Sequence, residues 1–244
     1  MPLTLALETS GDACAAALVA DGEVLGVRQV EMSRGHAEVL VPMVQDLARE
    51  ADVALTALDL IGVTRGPGSF TGLRTGIAAA RGFAIASGAP AVGVSSLLAV
   101  ARGAARVSLE PRPILCILDT RRADYFAQTF DQTGMATGEP GVMGVEDLLS
   151  LIGSLHPERR PELHPVLAGN AVSRLLSAYD GDPDTLRRVP GTGSPDPVDV
   201  AALAEAILCK PVFSREGVAQ DTLSPLYLRA PEAQLPANGG RLKR

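Results

Sequence analysis

The sequence predicts an α/β fold of two lobes, and three observations point to it. Apolar segments of strand length alternate with longer segments of helical periodicity along the 244 residues. A strand, a polar turn and a second strand open the chain at Leu3, and the same order returns at Ile114. Pro111 and Pro113 mark a linker between the two openings, near residues 103–112. A repeat this short can arise by chance, so the residues alone leave open whether the second lobe duplicates the first.

The first lobe is predicted over residues 1–104 and begins with a strand and a hairpin. Asp21-Gly22 separates two apolar runs, and this dipeptide is a strong hairpin signal. A helix is predicted next, at 35–50, because apolar residues recur there at helical spacing. The predicted strands of this lobe are 3–7, 13–20, 23–30, 58–63 and 91–94, and its other helices are 72–87 and 95–105.

Two of these helices carry faces that suit contact with another helix. The apolar face of the first comprises Val39, Leu40, Met43, Val44 and Leu47. The second has small residues and one ring on adjoining faces, at Gly72, Leu73, Gly76, Ala80 and Phe83. Small residues let a second helix approach closely. We therefore expect the two helices to expose an apolar patch too large for a monomer.

The run from Thr64 to Gly76 is the most informative stretch of the chain, and its central residues are Arg65, Gly66, Pro67, Gly68, Ser69, Phe70 and Thr71. The glycines permit unusual backbone conformations, Pro67 fixes a turn, and Ser69 or Thr71 can cap the following helix. Free N–H groups at such a helix start suit an anion or a closely approaching protein surface. A tight turn without any ligand fits the same residues, and the spacing is not that of a P-loop.

The second lobe is predicted over residues 105–230. Its predicted strands are 114–120, 125–130 and 166–168, and its predicted helices are 145–155, 171–179 and 198–208. The last helix can pack back on the first lobe. Residues 190–197 are polar and proline-rich and predict a surface loop, while 231–244 are expected to form a disordered tail.

Composition and charge narrow the function classes. The net charge is −6, and the arginine pairs at 121–122, 159–160 and 187–188 lie among acids or prolines without interleaved aromatics, which favours solvated loops over a nucleic-acid surface. Three scattered cysteines predict neither a disulfide framework nor a metal site. The start of the chain does not resemble a signal peptide, and the most apolar long stretch, 76–101, is a poor membrane span. Cytoplasm is therefore the expected location.

Five segments resemble one protein family, the TsaB (YeaZ) proteins that bacteria need to make threonylcarbamoyladenosine in transfer RNA. The run 64–76 is similar to the family signature, and the other similar segments are 3–10, 33–38, 89–97 and 225–229. Asp119-Thr120-Arg121 departs from the Asp-Ala-Arg usual in the family, and residues 150–197 match little.

This resemblance implies a duplicated actin-like fold (ASKHA, ribonuclease H-like) with a mixed five-stranded sheet in each lobe. It also implies a non-catalytic scaffold that forms a heterodimer with the catalytic paralogue TsaD and acts with the ATPase TsaE. The implied interface is the helix pair at 35–50 and 72–87, which could also pair with a second copy in the free protein. Strong direct binding of transfer RNA is not expected, and no cofactor is implied.

The resemblance to TsaD also indicates what this chain lacks. TsaD holds a metal with two histidines four residues apart. An ungapped match puts these histidines at Ser96 and Val100 of this chain. Neither side chain can replace an imidazole ligand, and valine has no lone pair at all. Neither a metal nor a catalytic residue is therefore expected. The alternative is a nucleotide-dependent enzyme or a metallopeptidase of the same superfamily.

A candidate nucleotide-phosphate loop remains at Glu8, Thr9, Ser10 and Asp12, since acids and hydroxyls after the first strand hold magnesium phosphate in active members of the wider fold. The alternative for this loop is structural. Thr9 and Ser10 would then cap the turn, and Glu8 would accept hydrogen bonds from the amides of the run 64–76.

Overall fold

The computed structural model describes residues 2–108, 112–155, 165–180, 186–209 and 223–229. The strands are β1 Leu3–Glu8, β2 Ala13–Ala20, β3 Glu23–Glu31, β4 Leu60–Gly66, β5 Ala91–Ser95, β6 Ile114–Asp119, β7 Tyr125–Phe130, β8 Gly141–Met143 and β9 Val166–Ala168. The helices are α1 His36–Glu50, α2 Phe70–Ser87, α3 Ser96–Val107, α4 Val145–Ser154, α5 Val172–Ser177 and α6 Pro197–Leu208. The predicted tail at 231–244 and the arginine pair at 159–160 lie outside the described residues.

The first sheet has five strands in the order β3-β2-β1-β4-β5. β1 pairs antiparallel with β2 and parallel with β4, and β4 pairs parallel with β5. The hairpin predicted from Asp21-Gly22 is confirmed, and both residues have positive φ, at 57° and 81°. A two-residue turn of this kind matches the twist of the strands that it joins.

The second sheet has four strands in the described residues, in the order β8-β7-β6-β9, so the expectation of five strands is wrong here. The segment after residue 186 runs parallel to β9 at the position where a fifth strand would lie. The amide of Leu167 donates to the Arg187 carbonyl at 2.7 Å, and the amide of Val189 donates to the Leu167 carbonyl at 2.9 Å. The pairing amounts to one isolated bridge, because this segment turns away at once.

Two helices pack against the sheet formed by the other half of the chain. α1 and α2 cover one face of the first sheet around Leu5, Leu7 and Ile61, whereas α6 covers the other face with Val200, Ala201 and Ala204. α3 follows β5 in the chain, yet most of its buried residues pack on the second sheet, whose opposite face is covered by α4 and α5. α3 and α6 therefore lie between the two sheets.

This packing bears on the predicted division at residue 104. α3 lies mostly before the predicted linker, yet it packs in the core of the second sheet. α6 lies after the linker, yet it packs in the core of the first sheet. Residues 109–111 of that linker lie outside the described residues. Among the described residues, no helix has both the length and the apolar character needed to cross a membrane.

Candidate functional site

The run 64–76 forms the end of β4, a turn and the start of α2. Of the two caps that the sequence allowed, Ser69 is the N-cap of α2, and its hydroxyl oxygen accepts a hydrogen bond from the Gly72 amide at 3.3 Å. The Ser69 amide donates in turn to the Ser10 carbonyl at 2.8 Å. The turn is therefore tied to the loop that follows β1.

The glycines of this run make room for that loop. A Cβ atom on Gly68 would overlap the Ser10 carbonyl oxygen, and one on Gly72 would overlap the Thr9 carbonyl oxygen. The Thr9 hydroxyl donates to the Gly72 carbonyl at 2.8 Å. The small residues of α2 thus accept the first loop of the same chain, which corrects the expectation that they receive a helix from elsewhere.

The residues predicted to contact a partner lie mostly inside the protein. The buried ones are Leu40, Met43, Val44, Leu47, Gly72, Leu73, Gly76 and Ala80, while Val39 and Phe83 are half-buried and pack against the same core. The helical spacing of apolar residues identifies the face of α1 that must be buried, and the first sheet buries this face. Of the predicted residues, only Leu40 lines the groove between α1 and α2, so a partner docking there meets mainly other side chains.

The outer sides of α1 and α2 form a groove of about 520 Å³. It is lined by Ala37, Leu40, Val41, Phe70, Thr71, Arg74, Thr75, Ala78 and Ala79. Val41 is 40% exposed and Phe70 is 52% exposed. We call this surface the α1–α2 groove, and it is mainly apolar with one charged residue, Arg74, in its lining.

A cluster of three side chains stands at one end of the groove. The rings of Phe70 and Tyr227 stack with their centroids 5.5 Å apart. The guanidinium carbon of Arg74 lies 3.7 Å from the Phe70 ring centroid, and Arg74 Nε donates to the Tyr227 hydroxyl at 3.2 Å. Sequence reasoning missed Arg74 and Tyr227 as site residues. The similarity of residues 225–229 to a family segment was the one signal that could have indicated Tyr227.

Most polar side chains of the loop after β1 are bonded to other groups of the protein. Glu8 Oε1 accepts hydrogen bonds from the Ser10 amide at 2.7 Å, the Ser10 hydroxyl at 2.6 Å and the Gly11 amide at 3.2 Å. Glu8 therefore accepts from amides of its own loop, and the prediction that it accepts from the amides of the run 64–76 is wrong. Asp12 lies farther along the loop and forms a 2.6 Å ion pair with Arg121, which follows β6.

Burial dominates the electrostatics of Glu8. Removal from water raises the pKa of this carboxyl to about 7, while the hydrogen bonds from Ser10 and Gly11 and the nearby Thr64 hydroxyl lower it. Glu8 Oε2 and Thr64 Oγ1 are both buried without a hydrogen-bond partner. A fully buried carboxyl whose pKa is raised, beside an Asp12 already paired with arginine, is a poor ligand set for a magnesium phosphate.

The two positions that match the metal-binding histidines of TsaD are both buried. Val100 packs in the core of the second sheet, and Ser96 Oγ has no hydrogen-bond partner. A valine and a serine do not fit a metal held by imidazoles. Among the described residues, no group of three or more His, Cys, Asp or Glu side chains could hold a metal ion.

Comparison with known proteins places these features in a family. The family model described as TsaD, tRNA N6-adenosine threonylcarbamoyltransferase, matches residues 21–187. The tRNA threonylcarbamoyladenosine biosynthesis protein TsaB of Escherichia coli K12 is 36% identical over 137 residues, which is 55% of this chain and 58% of that protein. TsaB of Haemophilus influenzae is 33% identical over 51% of this chain and 52% of that protein. The chain spans about half the length of these two relatives.

Solved structures agree over a larger share of the chain. YeaZ from Pseudomonas aeruginosa is 29% identical, with a TM-score of 0.75 over 93% of this chain and 100% of that chain. An activator of 2-hydroxyisocaproyl-CoA dehydratase from Clostridium difficile, solved with bound ADPNP, has a TM-score of 0.50 at 14% identity over 87% of this chain and 100% of that chain, which shows the fold alone. The predicted actin-like fold of two lobes is confirmed.

Proposed function

Because this chain belongs to the TsaD-like family and, within it, to the TsaB (YeaZ) proteins, we propose that it acts in the synthesis of threonylcarbamoyladenosine in transfer RNA. Its proposed role is that of a non-catalytic subunit. It docks the catalytic subunit TsaD on its α1–α2 groove and acts with the ATPase TsaE, in the cytoplasm where transfer RNA is modified.

The observation that carries this proposal is the exposed apolar character of the α1–α2 groove. Val41 and Phe70 present large apolar side chains to solvent on adjacent helices. An apolar groove between two helices suits the apolar face of a partner helix, and aromatic and arginine side chains are enriched where such contacts are strongest. Phe70, Arg74 and Tyr227 supply this combination beside the groove.

The proposed lack of catalysis rests on the two places where related proteins could hold reactive groups. Ser96 and Val100 offer no imidazole for a metal. The carboxyl of Glu8 is fully buried and bonded to its own loop. Transfer RNA is proposed to reach the complex through the partner subunit, since the net charge of −6 is unfavourable for binding a polyanion directly.

The test is reconstitution of transfer-RNA modification from this chain, TsaD and TsaE of the same organism. We expect the modification to stop when this chain is omitted and to return when it is added back. The chain alone should hydrolyse neither ATP nor a peptide. A saturable rate of either reaction in the isolated protein would support the enzyme alternative and contradict the scaffold role.

One pair of variants locates the docking surface. Val41→Asp puts a charge in the α1–α2 groove and should abolish co-purification with TsaD together with modification. Val24→Asp is the matched control, because Val24 is 44% exposed on the edge strand β3, away from the groove. If both variants bind TsaD as the native chain does, the groove is not the docking surface.

A further inference from the structure

The α1–α2 groove differs in charge from the protein as a whole. The whole chain is acidic, with 28 acidic against 22 basic residues. The groove lining nevertheless contains a single charged side chain, the cationic Arg74. A partner that buries this groove must also cover Arg74, and a buried guanidinium without a counter-charge is costly.

Arg74 is held in place from two sides. Its guanidinium carbon lies 3.7 Å from the Phe70 ring centroid, and its Nε donates to the Tyr227 hydroxyl at 3.2 Å. These contacts use one face and one N–H of the guanidinium. No carboxylate in the part of the chain that the structure describes forms an ion pair with Arg74, so its terminal amino groups stay available to a ligand.

Tyr227 is itself anchored by the segment that carries it. The amide of Leu226 donates to the Arg65 carbonyl at 2.7 Å. Arg81 donates to the Leu223 carbonyl at 3.3 Å, and Leu223 lies in the core of the first sheet. Because its neighbours are fixed on both α2 and the end of β4, Tyr227 can hold Arg74 in one orientation before a partner arrives.

We propose that Arg74, positioned by Phe70 and Tyr227, is the recognition residue of the groove and pairs with a carboxylate on the docked helix. This inference rests on the proposed function and adds the chemistry of its partner. The partner helix presents aliphatic or small side chains to the groove and one Asp or Glu opposite Arg74. A guanidinium fixed in this way favours a carboxylate because two of its N–H groups can bind both oxygens together.

Single-stranded RNA is the other ligand that stacks on aromatic side chains beside an arginine. The groove favours a helix, because aliphatic side chains such as Ala37, Val41 and Ala78 line it and its lining offers only one cation. Nucleic-acid surfaces carry several cations in a row. Binding of transfer RNA by the free protein that is lost in Arg74→Glu would therefore overturn the proposal.

The experiment measures the Kd of TsaD for variants of the full chain at low and high salt. Arg74→Glu should raise the Kd about 100-fold, and Arg74→Gln about 10-fold. Tyr227→Phe keeps the ring and removes the hydroxyl, so it should raise the Kd only about threefold. The native pair should weaken with added salt, whereas the Arg74→Gln pair should depend less on salt.

Charge reversal on the partner completes the test. Each Asp and Glu on the surface of TsaD that docks here is replaced in turn by Arg, and one replacement should restore binding of Arg74→Glu to within about tenfold of the native Kd. The proposal is wrong if Arg74→Glu changes the Kd less than twofold while Val41→Asp abolishes binding, an outcome that leaves docking in the groove intact. If Val41→Asp also leaves the Kd unchanged, the assignments of the docking surface and of the recognition residue are both wrong. Arg74 is exposed, so its variants should keep the native melting temperature.

Discussion

The hydroxyl of Thr9 occupies the space that a Cβ atom on Gly76 would need. The same hydroxyl donates to the Gly72 carbonyl at 2.8 Å, one helical turn earlier in α2. The loop after β1 and the start of α2 are therefore in direct contact, with no side chain of α2 between them. This contact explains two glycines spaced four residues apart, because Gly72 and Gly76 face the same loop.

Gly76→Ala should therefore destabilise the protein, although alanine is the better helix former. The added methyl group meets the Thr9 hydroxyl and Val63, both buried, and overpacking of this kind should lower the free energy of unfolding by about 2 kcal/mol. Gly82→Ala is the matched control in the same helix, since a Cβ atom there has no neighbour within 4 Å. It should raise the free energy of unfolding by about 0.5–1 kcal/mol. Urea denaturation of both variants checks this, and equal effects would contradict the contact.

Glu8 should make stability fall as the pH rises. Its pKa is about 7 in the folded protein against an ordinary value of 4.5, so the folded state binds more protons than the unfolded state between these values. The free energy of unfolding should therefore decrease from pH 4.5 to about 7 and stay low above that, by about 3 kcal/mol in total. Well below pH 4.5 the carboxyl is protonated in both states, so it no longer makes the stability depend on pH.

Glu8→Gln isolates this contribution. Glutamine keeps an oxygen that can accept from the Ser10 amide, but it carries no charge at any pH. The variant should be more stable than the native chain at pH 8 and lose the Glu8-dependent part of the slope between pH 5 and 8, as measured by urea denaturation at both pH values. Parallel stability curves for the two proteins would show that Glu8 does not titrate in this range.

Asp199 connects α3 and α6 through ion pairs. Its buried carboxylate in α6 lies 3.1 Å from Arg106 Nη2 and 3.4 Å from Arg102 Nε, both in α3. The two arginines are about half exposed, so they can be solvated when the acid is removed. Asp199→Ala should cost about 1–2 kcal/mol, whereas the double variant Arg102→Ala with Arg106→Ala leaves a buried carboxylate unpaired and should cost about 3 kcal/mol. Thermal denaturation ranks the two, and the reverse order would refute this account.

Local patterns in the sequence predicted local structure well. The hairpin at Asp21-Gly22 follows from two residues that tolerate positive φ, and the Ser69 cap follows from the chemistry of one hydroxyl. The periodicity of α1 located the helix and the face that is buried. It could not tell which surface buries that face, because the same apolar spacing serves a sheet of the chain's own or a partner protein.

Relationships between distant segments were beyond the sequence. Tyr227 reaches Phe70 and Arg74 from the far end of the chain, and no local pattern records that pairing. The packing of α3 on the second sheet and of α6 on the first likewise depends on contacts between distant parts of the chain. The role of Gly72 and Gly76 needed the position of the β1 loop, which only the fold supplies.

The α1–α2 groove should also govern self-association of the free protein. Two copies that pair groove to groove would bury Val41 and Phe70 on both sides, which favours association. They would also bring two Arg74 side chains together in a groove whose lining offers no carboxylate. Such a homodimer is expected to be weak, and added salt should strengthen it by screening the two arginines, whereas salt should weaken the complex with TsaD. Sedimentation velocity at two salt concentrations, with Val41→Asp as the monomeric reference, measures both trends. A homodimer that weakens with salt, or that persists in Val41→Asp, would mean that the copies associate through another surface.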